Sequence, residues 1–320
     1  MTKRIEVVAF DPELAEALKR VPLPSTLTFE MVLAARTQFD TVPPAIAELA
    51  RVKGIEWQDL EIPGADGDPM KATVFRPRGA QAQAAGILHT HGGGMVLGDR
   101  FLGADSFLDW IAETHCVLLT IDYRLAPEHP HPAPSEDCYA ALLWMETHAD
   151  ELKIDPKRIA VAGASAGGGL AAAVALMARD RDGPKLIAQI LGCPMLDDRN
   201  ETASAFQIDG VGIWDRTSNL MGWRSLLGER CGTAGVSSYA APARAENLAG
   251  LPPAFIDVGS AEVFRDEAVA YATRLWAAGG LAELHVWPGA FHGFDSLAPE
   301  SALAKIARST RAAWIKRALC

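Results

Sequence analysis

At 320 residues the chain is long enough for one large α/β domain with an appendage, or for two ordinary domains. It is 49% hydrophobic and 22% charged, the balance of a packed enzyme rather than of a disordered chain. A net charge of −10 repels phosphate backbones, and no basic, aromatic-interleaved stretch offsets it locally, which argues against nucleic acid as a partner. Residues 1–20 carry no apolar core of signal-peptide length, and nowhere is there an apolar run long enough to span a bilayer, so a cytoplasmic location without stable membrane insertion is expected. The five cysteines (Cys116, Cys138, Cys193, Cys231, Cys320) are odd in number and form no Cys-x-x-Cys pair, a pattern that suits reduced thiols better than disulfides or structural zinc.

In chain order, residues 1–53 read as helical pieces broken by Pro22, Pro24, Pro43 and Pro44. From about residue 56 strand-like and helix-like segments alternate. Strands are expected at 56–62, 70–76, 86–90, 116–122, 158–162, 187–191, 254–258 and 282–287. The short stretch at 79–86 reads as a hairpin or loop. Runs such as CVLLTID and PAFIDV lack polar alternation, which suits strands buried on both faces of a largely parallel sheet. Helices are expected at 103–114, 135–149, 166–180, 264–279 and 300–317. The second should open at Ser135, with Glu136 and Asp137 in its first turn. Residues 200–247 are too long for a simple crossover and carry Trp214 and Trp223. Together with 1–53 they are expected to form a cap on a catalytic domain spanning 54–320. The alternation itself implies a doubly wound α/β domain.

Three segments carry chemistry. Gly163-Ala164-Ser165-Ala166-Gly167 lies between a β-rich run and an Ala/Leu-rich helix, the strand–turn–helix setting of a G-x-S-x-G nucleophile elbow. A side chain at 163 or 167 would collide with the neighbouring strand or helix. The rival reading is a glycine-containing turn with an incidental serine. The second segment, His91-Gly92-Gly93-Gly94, lets backbone N–H groups approach a ligand atom unobstructed. With the N–H of Ala166 it would make an oxyanion hole. A phosphate-cradling loop is disfavoured, since no Gly-Lys-Ser/Thr follows and the chain is acidic. His91 is expected to fix the loop. The third segment places His292, flanked by Phe291, just beyond the last expected strand and behind the serine in chain order, where a general base would sit.

A triad also needs an acid between Ser165 and His292, and Glu262, Asp266 and Glu267 are the candidates. Asp266 and Glu267 fall where the helix dipole already favours acids; Glu262 stands before the helix. Neither H-x-H pair, His89/His91 or His129/His131, has a third ligand at metal spacing, so no catalytic metal is expected.

HGGG, GASAG and FHGF in this order, with DYRLAPEHPHPAPSED at 122–137, resemble the hormone-sensitive-lipase family of esterases over residues 86–295. The resemblance implies an α/β-hydrolase fold: a mostly parallel eight-stranded sheet, helices on both faces and a helical cap. It implies Ser165 as nucleophile, His292 as base, and Gly93, Gly94 and Ala166 as oxyanion donors with Gly92 shaping the turn. The family's Asp-Pro-Leu-x-Asp-Glu aligns with Glu262-Val263-Phe264-Arg265-Asp266-Glu267, which puts Glu262 in the acid position with Asp become Glu and the proline lost. A carboxylesterase for short- to medium-chain esters, working through an acyl-enzyme without a cofactor, is the implied function. A lactonase or amidase would use the same residues. Small-molecule receptors that resemble the family commonly lack the serine or the histidine, and both are present here. Trp214, Trp223 and Phe291 are the expected pocket side chains, and a homodimer is one assembly the resemblance allows.

Overall fold

The computed structural model describes residues 6, 8–36, 39–80 and 83–320. Residues 1–5, 7 and 37–38 of the expected N-terminal cap segment, and residues 81–82 of the expected hairpin or loop at 79–86, lie outside the described residues.

Eight strands form one sheet: β1 (Ile55–Pro63), β2 (Pro69–Pro77), β3 (Ala84–Thr90), β4 (Val117–Ile121), β5 (Ile154–Ala164), β6 (Leu186–Gly192), β7 (Ala254–Gly259) and β8 (Ala282–Trp287). Their order across the sheet is β1-β2-β4-β3-β5-β6-β7-β8. β2 runs against both neighbours, and every pairing from β4 to β8 is parallel. Each strand falls on its expected segment; β5 begins earliest relative to expectation, at Ile154 rather than 158. The apolar runs do what two-sided burial requires. In β4, Val117, Leu119 and Ile121 enter one core and Leu118 the other; in β7, Ala254, Ile256 and Val258 face the first core and Phe255 the second.

Helices Ala133–Thr147, Ala166–Asp180 and Arg265–Ala277 supply the first core. Helix Phe107–Thr114 and the end of helix Ala302–Leu319 supply the second, where Pro44–Val52 also packs through Ala50, Ile46 and Ala47. The mostly parallel eight-stranded sheet with helices on both faces is the expected architecture. One helix start differs. The helix expected from Ser135 begins at Ala133, and Ser135 Oγ donates to the Pro132 carbonyl at 3.0 Å. Asp137 is not a solvated first-turn acid: it is 1% exposed and accepts from Arg124 Nε and Nη2, both at 2.8 Å. The partner that buries it comes from the loop after β4, which helix-dipole reasoning does not see.

Residues 25–27 meet the segment between β6 and β7. Asp215 N donates to the Ser25 carbonyl at 3.3 Å and Leu27 N to Ser218 Oγ at 2.8 Å. Arg36 donates to the carbonyls of Val96 and Ala126 at 2.7 and 2.6 Å, tying the same N-terminal segment to the loops after β3 and β4.

At the carboxyl end of the sheet, Gly259 closes β7 against the turn after β8. A Cβ there would stand 2.1 Å from the Ala290 carbonyl oxygen, a backbone atom that cannot swing aside. Gly259→Ala is expected to lower unfolding stability by about 1–3 kcal/mol, the usual cost of overpacking, measured by urea denaturation.

Candidate active site

β5 ends at Ala164 and helix Ala166–Asp180 begins one residue later, so Ser165 alone makes the turn, at φ 59° and ψ −124°. That conformation is costly for a residue with a Cβ, roughly 1–3 kcal/mol. Its surroundings hold it there. Ser165 N donates to the Gly192 carbonyl at 2.8 Å, and the Ser165 carbonyl accepts from Met195 N at 2.9 Å and Gly169 N at 3.1 Å. The turn is tight enough that a Cβ on Gly167 would lie 1.9 Å from the Thr90 carbonyl oxygen.

Ser165 Oγ lies 3.0 Å from His292 Nε2, and His292 Nδ1 lies 3.2 Å from Glu262 Oε2. His292 sits between β8 and the short helix Phe294–Leu297, with the Phe264 ring edge-on at 5.2 Å. The two loops that carry the histidine and the carboxylate are stitched together by Ala261 N donating to the Ala290 carbonyl at 3.0 Å. Glu262 is 1% exposed, and burial pushes its carboxyl above the usual range while His292 pulls it back down.

The other two candidate acids are engaged elsewhere. Both lie in the first turn of helix Arg265–Ala277, as expected. Asp266 accepts from Ser204 N at 2.8 Å and pairs with Arg265. Glu267 accepts from Leu196 N at 2.7 Å and Asp197 N at 3.3 Å, and is 3% exposed. It ties the chain after β6 to the helix after β7. A carboxylate at the start of that helix's buried face was the only signal in the sequence.

The glycine run follows β3. Gly92 packs on the elbow, its notional Cβ 3.7 Å from Ser165 Cβ, while Gly93 and Gly94 take φ of 107° and 61°, open to glycine at no steric cost. Among the described residues the N–H groups of Gly93, Gly94 and Ala166 donate to nothing within the chain. His91 fixes the loop: its Nδ1 donates to the Gly92 carbonyl at 2.7 Å and its ring stacks on Tyr123 at 4.1 Å. Burial pulls its pKa down to about 4, so it is neutral at ordinary pH.

The three expected pocket aromatics part company. Trp214, at a strained φ of 55°, lays its ring against Gly94, where a Cβ would stand 2.0 Å from its outer edge. Trp223 and Phe291 are wholly enclosed, at 0% exposure, and present no surface to a ligand. Phe291 packs against Phe10 instead. Periodicity cannot tell which aromatic of an irregular segment turns inward, so both are corrected to core side chains. Trp214 remains the candidate.

Among the described residues, Cys193, Glu262 and His292 bring three metal-ligating atom types within 4.8 Å of one another. Their arrangement favours a proton network over a metal. His292 Nδ1 is already paired with Glu262, and burial together with the Glu262 charge pushes the Cys193 thiol well above its ordinary range, keeping it protonated. A surface hollow of about 510 Å³ beside Lys53, Arg78 and His115 lines up no nucleophile with a base.

Residues 87–296 match the sequence profile of the alpha/beta hydrolase fold family. The chain belongs to that family. The hydrolase is 36% identical to Esterase LipI of Mycobacterium tuberculosis over 294 residues, 90% of this chain and 89% of LipI. It is 35% identical to Carboxylesterase NlhH of the same organism over 322 residues, 97% and 96% of the two chains. Among solved structures it superposes on Bacterial Heroin Esterase with a TM-score of 0.88, 37% identity and 98% of each chain covered. The segments singled out in the sequence, including the resemblance to hormone-sensitive-lipase-like esterases, lie inside the matched region.

Burial holds the Glu267 carboxyl of the hydrolase well above the ordinary value of 4.5, with Asp197 and Glu262 adding like-charge repulsion. As pH rises past 4.5 the unfolded chain ionises first, so the folded state loses stability until its own raised pKa is passed. Glu267→Gln keeps an acceptor for both N–H groups without the charge. It is expected to raise Tm at pH 8, with the gain shrinking at pH 4.5, as followed by differential scanning calorimetry.

Proposed function

We propose that this carboxylic ester hydrolase cleaves short- to medium-chain esters through an acyl-enzyme on Ser165, with His292 as general base and acid and Glu262 as the third member of a triad. The observation that carries the reading is the continuous line from Ser165 Oγ through His292 to Glu262 Oε2, at 3.0 and 3.2 Å, beneath three undonated backbone N–H groups.

His292 Nε2 takes the hydroxyl proton as Ser165 Oγ bonds to the ester carbonyl carbon. The carbonyl oxygen takes up the negative charge and is held by the N–H groups of Gly93, Gly94 and Ala166, with Gly92 letting the loop close on the elbow. Each such donor is worth roughly 2.7–4 kcal/mol in the transition state. The protonated His292 then gives its proton to the departing alcohol oxygen. Water, deprotonated by His292 in turn, attacks the acyl carbon and releases the acid and free Ser165. Glu262 holds the proton on Nδ1, so that Nε2 faces the serine as an acceptor, and balances the imidazolium that forms.

The cap over this centre consists of residues 8–36 together with 200–247, joined by the contacts of residues 25–27 with Asp215 and Ser218. Helix Pro44–Val52 belongs instead to the far face of the sheet. Trp214, wedged against Gly94, limits the space beside the reacting carbonyl and favours short acyl chains. The five cysteines are free thiols, and among the described residues no helix is long and apolar enough to cross a membrane, which supports a cytoplasmic setting.

Two measurements test the reading. In single-turnover acylation, Glu262→Gln should support the wrong histidine tautomer and cost up to about 10⁴-fold, the size seen for the matching change in a serine protease. Asp266→Asn should cost far less; the reverse ranking would move the acid to Asp266. In a series of p-nitrophenyl esters, acetate to hexanoate should turn over faster than palmitate, and fastest cleavage of palmitate would contradict the reading of Trp214.

A further inference from the structure

Behind Glu262, on the side away from Ser165, lies a buried charge cluster that the acyl-transfer steps do not use. Arg311, on helix Ala302–Leu319, donates from Nη2 to Asp257 Oδ2 at 2.7 Å and pairs through Nη1 with Asp295 Oδ2 at 3.0 Å. Trp287 Nε1 donates to the same Asp257 oxygen at 3.2 Å. Asp257 lies within β7 at 2% exposure, and Asp295 belongs to the short helix that follows His292. The side chains of Arg311 and Asp295 are 14% and 16% exposed.

Three polar atoms at this place have no partner among the described residues: Glu262 Oε1, Asp257 Oδ1 and Arg311 Nε. Their residues share the wall of one cavity of about 10 Å³, with Cys193 and Asp295 beside them. That is room for about one water, and the lining offers a donor and two acceptors, the polar complement a buried water requires. Leaving such groups unsatisfied would be costly, since each has given up its hydrogen bonds to water.

We propose that Arg311 is a positioning residue for the ester-cleaving centre: clamped between Asp257 and Asp295, it fixes the second oxygen of Glu262 through one water in this cavity and sets the charge balance behind His292. The inference rests on the functional reading above. Among the described residues the Glu262–His292 pair adjoins Ser165 at the elbow, Cys193 after β6, Asp257 on β7, Glu267 on helix Arg265–Ala277, Asp295 after His292, and Arg311 itself. Asp257 and Asp295 both push the Glu262 carboxyl upward, and Arg311 is the one cation among these six. Without it, buried negative charge would accumulate beside an imidazole that must be neutral to act as a base.

The signs separate this role from plain structural support. Arg311→Gln removes a positive charge, which favours the imidazolium and should move the acid limb of kcat/KM to higher pH. Asp257→Asn and Asp295→Asn each remove a negative charge and should move it to lower pH. About half a pH unit is the size expected of one buried charge acting without contact. Arg311→Lys retains the charge and should leave the limb in place. A structural loss would lower activity at every pH without such opposite displacements. The experiment is the pH profile of kcat/KM for p-nitrophenyl acetate in the four variants and the parent protein. If Arg311→Gln does not fold, Asp257→Asn and Asp295→Asn against Arg311→Lys still carry the sign. Limbs that coincide, an Arg311→Gln limb that moves to lower pH, or Asp257→Asn and Asp295→Asn limbs that move to higher pH, overturn the proposal. A pre-steady-state burst of p-nitrophenol in the parent tests the acyl-enzyme separately: a burst with unmoved limbs defeats the role of Arg311 alone, and no burst defeats the functional reading.

Discussion

The whole site hangs on one strained residue. Ser165 holds a backbone conformation that an isolated chain would avoid, and it does so because a parallel strand, a helix and two neighbouring loops all meet its backbone at once. β5 delivers it to the carboxyl edge of the sheet, and helix Ala166–Asp180 starts beneath it. Gly192 and Met195 fasten it to the end of β6, while Gly167 lets the β3 backbone come within contact distance. Because those partners belong to β3, β5 and β6, the elbow's shape is a property of the assembled sheet. The glycine loop that follows β3 and the histidine loop that follows β8 arrive at the same edge for the same topological reason, parallel strands ending side by side. Three further non-glycine residues with positive φ, Met95, Cys193 and Trp214, lie in the loops near the elbow, and Gln83, His115, Lys153, Asp182 and Asn200 take positive φ elsewhere among the described residues.

Much of this was legible in the sequence. Unbroken apolar runs marked the strands because parallel strands in the middle of such a sheet are buried on both faces; in β4 and β7 every residue is buried. Ser165 and the glycines were legible because tight backbone approaches admit few residue types, and His292 because it stands just past the last strand-like run, behind the serine in chain order. Glu262 could be separated from Asp266 and Glu267 by its place before a helix, and the structure puts the latter two in that helix's first turn.

What was not legible depends on partners distant along the chain. Asp137 reads as a helix-start acid until Arg124 folds back on it, and Trp223 and Phe291 read as pocket aromatics until the core closes over them. Asp257 is a charge inside an apolar strand, a visible anomaly, but nothing in the local sequence around Arg311 announces that the two will pair across 54 positions. Helix Pro44–Val52 shares its segment with the residues that meet the 200–247 insertion, yet its apolar face serves the opposite side of the sheet. Periodicity tells that a face will be buried and is silent about what will cover it.

The central claim is that Ser165 forms the covalent acyl-enzyme. Its most direct test is to inactivate the protein with a p-nitrophenyl alkylphosphonate ester and locate the adduct by peptide mass spectrometry. The account predicts stoichiometric modification of Ser165, in step with loss of esterase activity and with no adduct elsewhere. Complete inactivation with the adduct on Ser135, Ser260 or any other residue would contradict it.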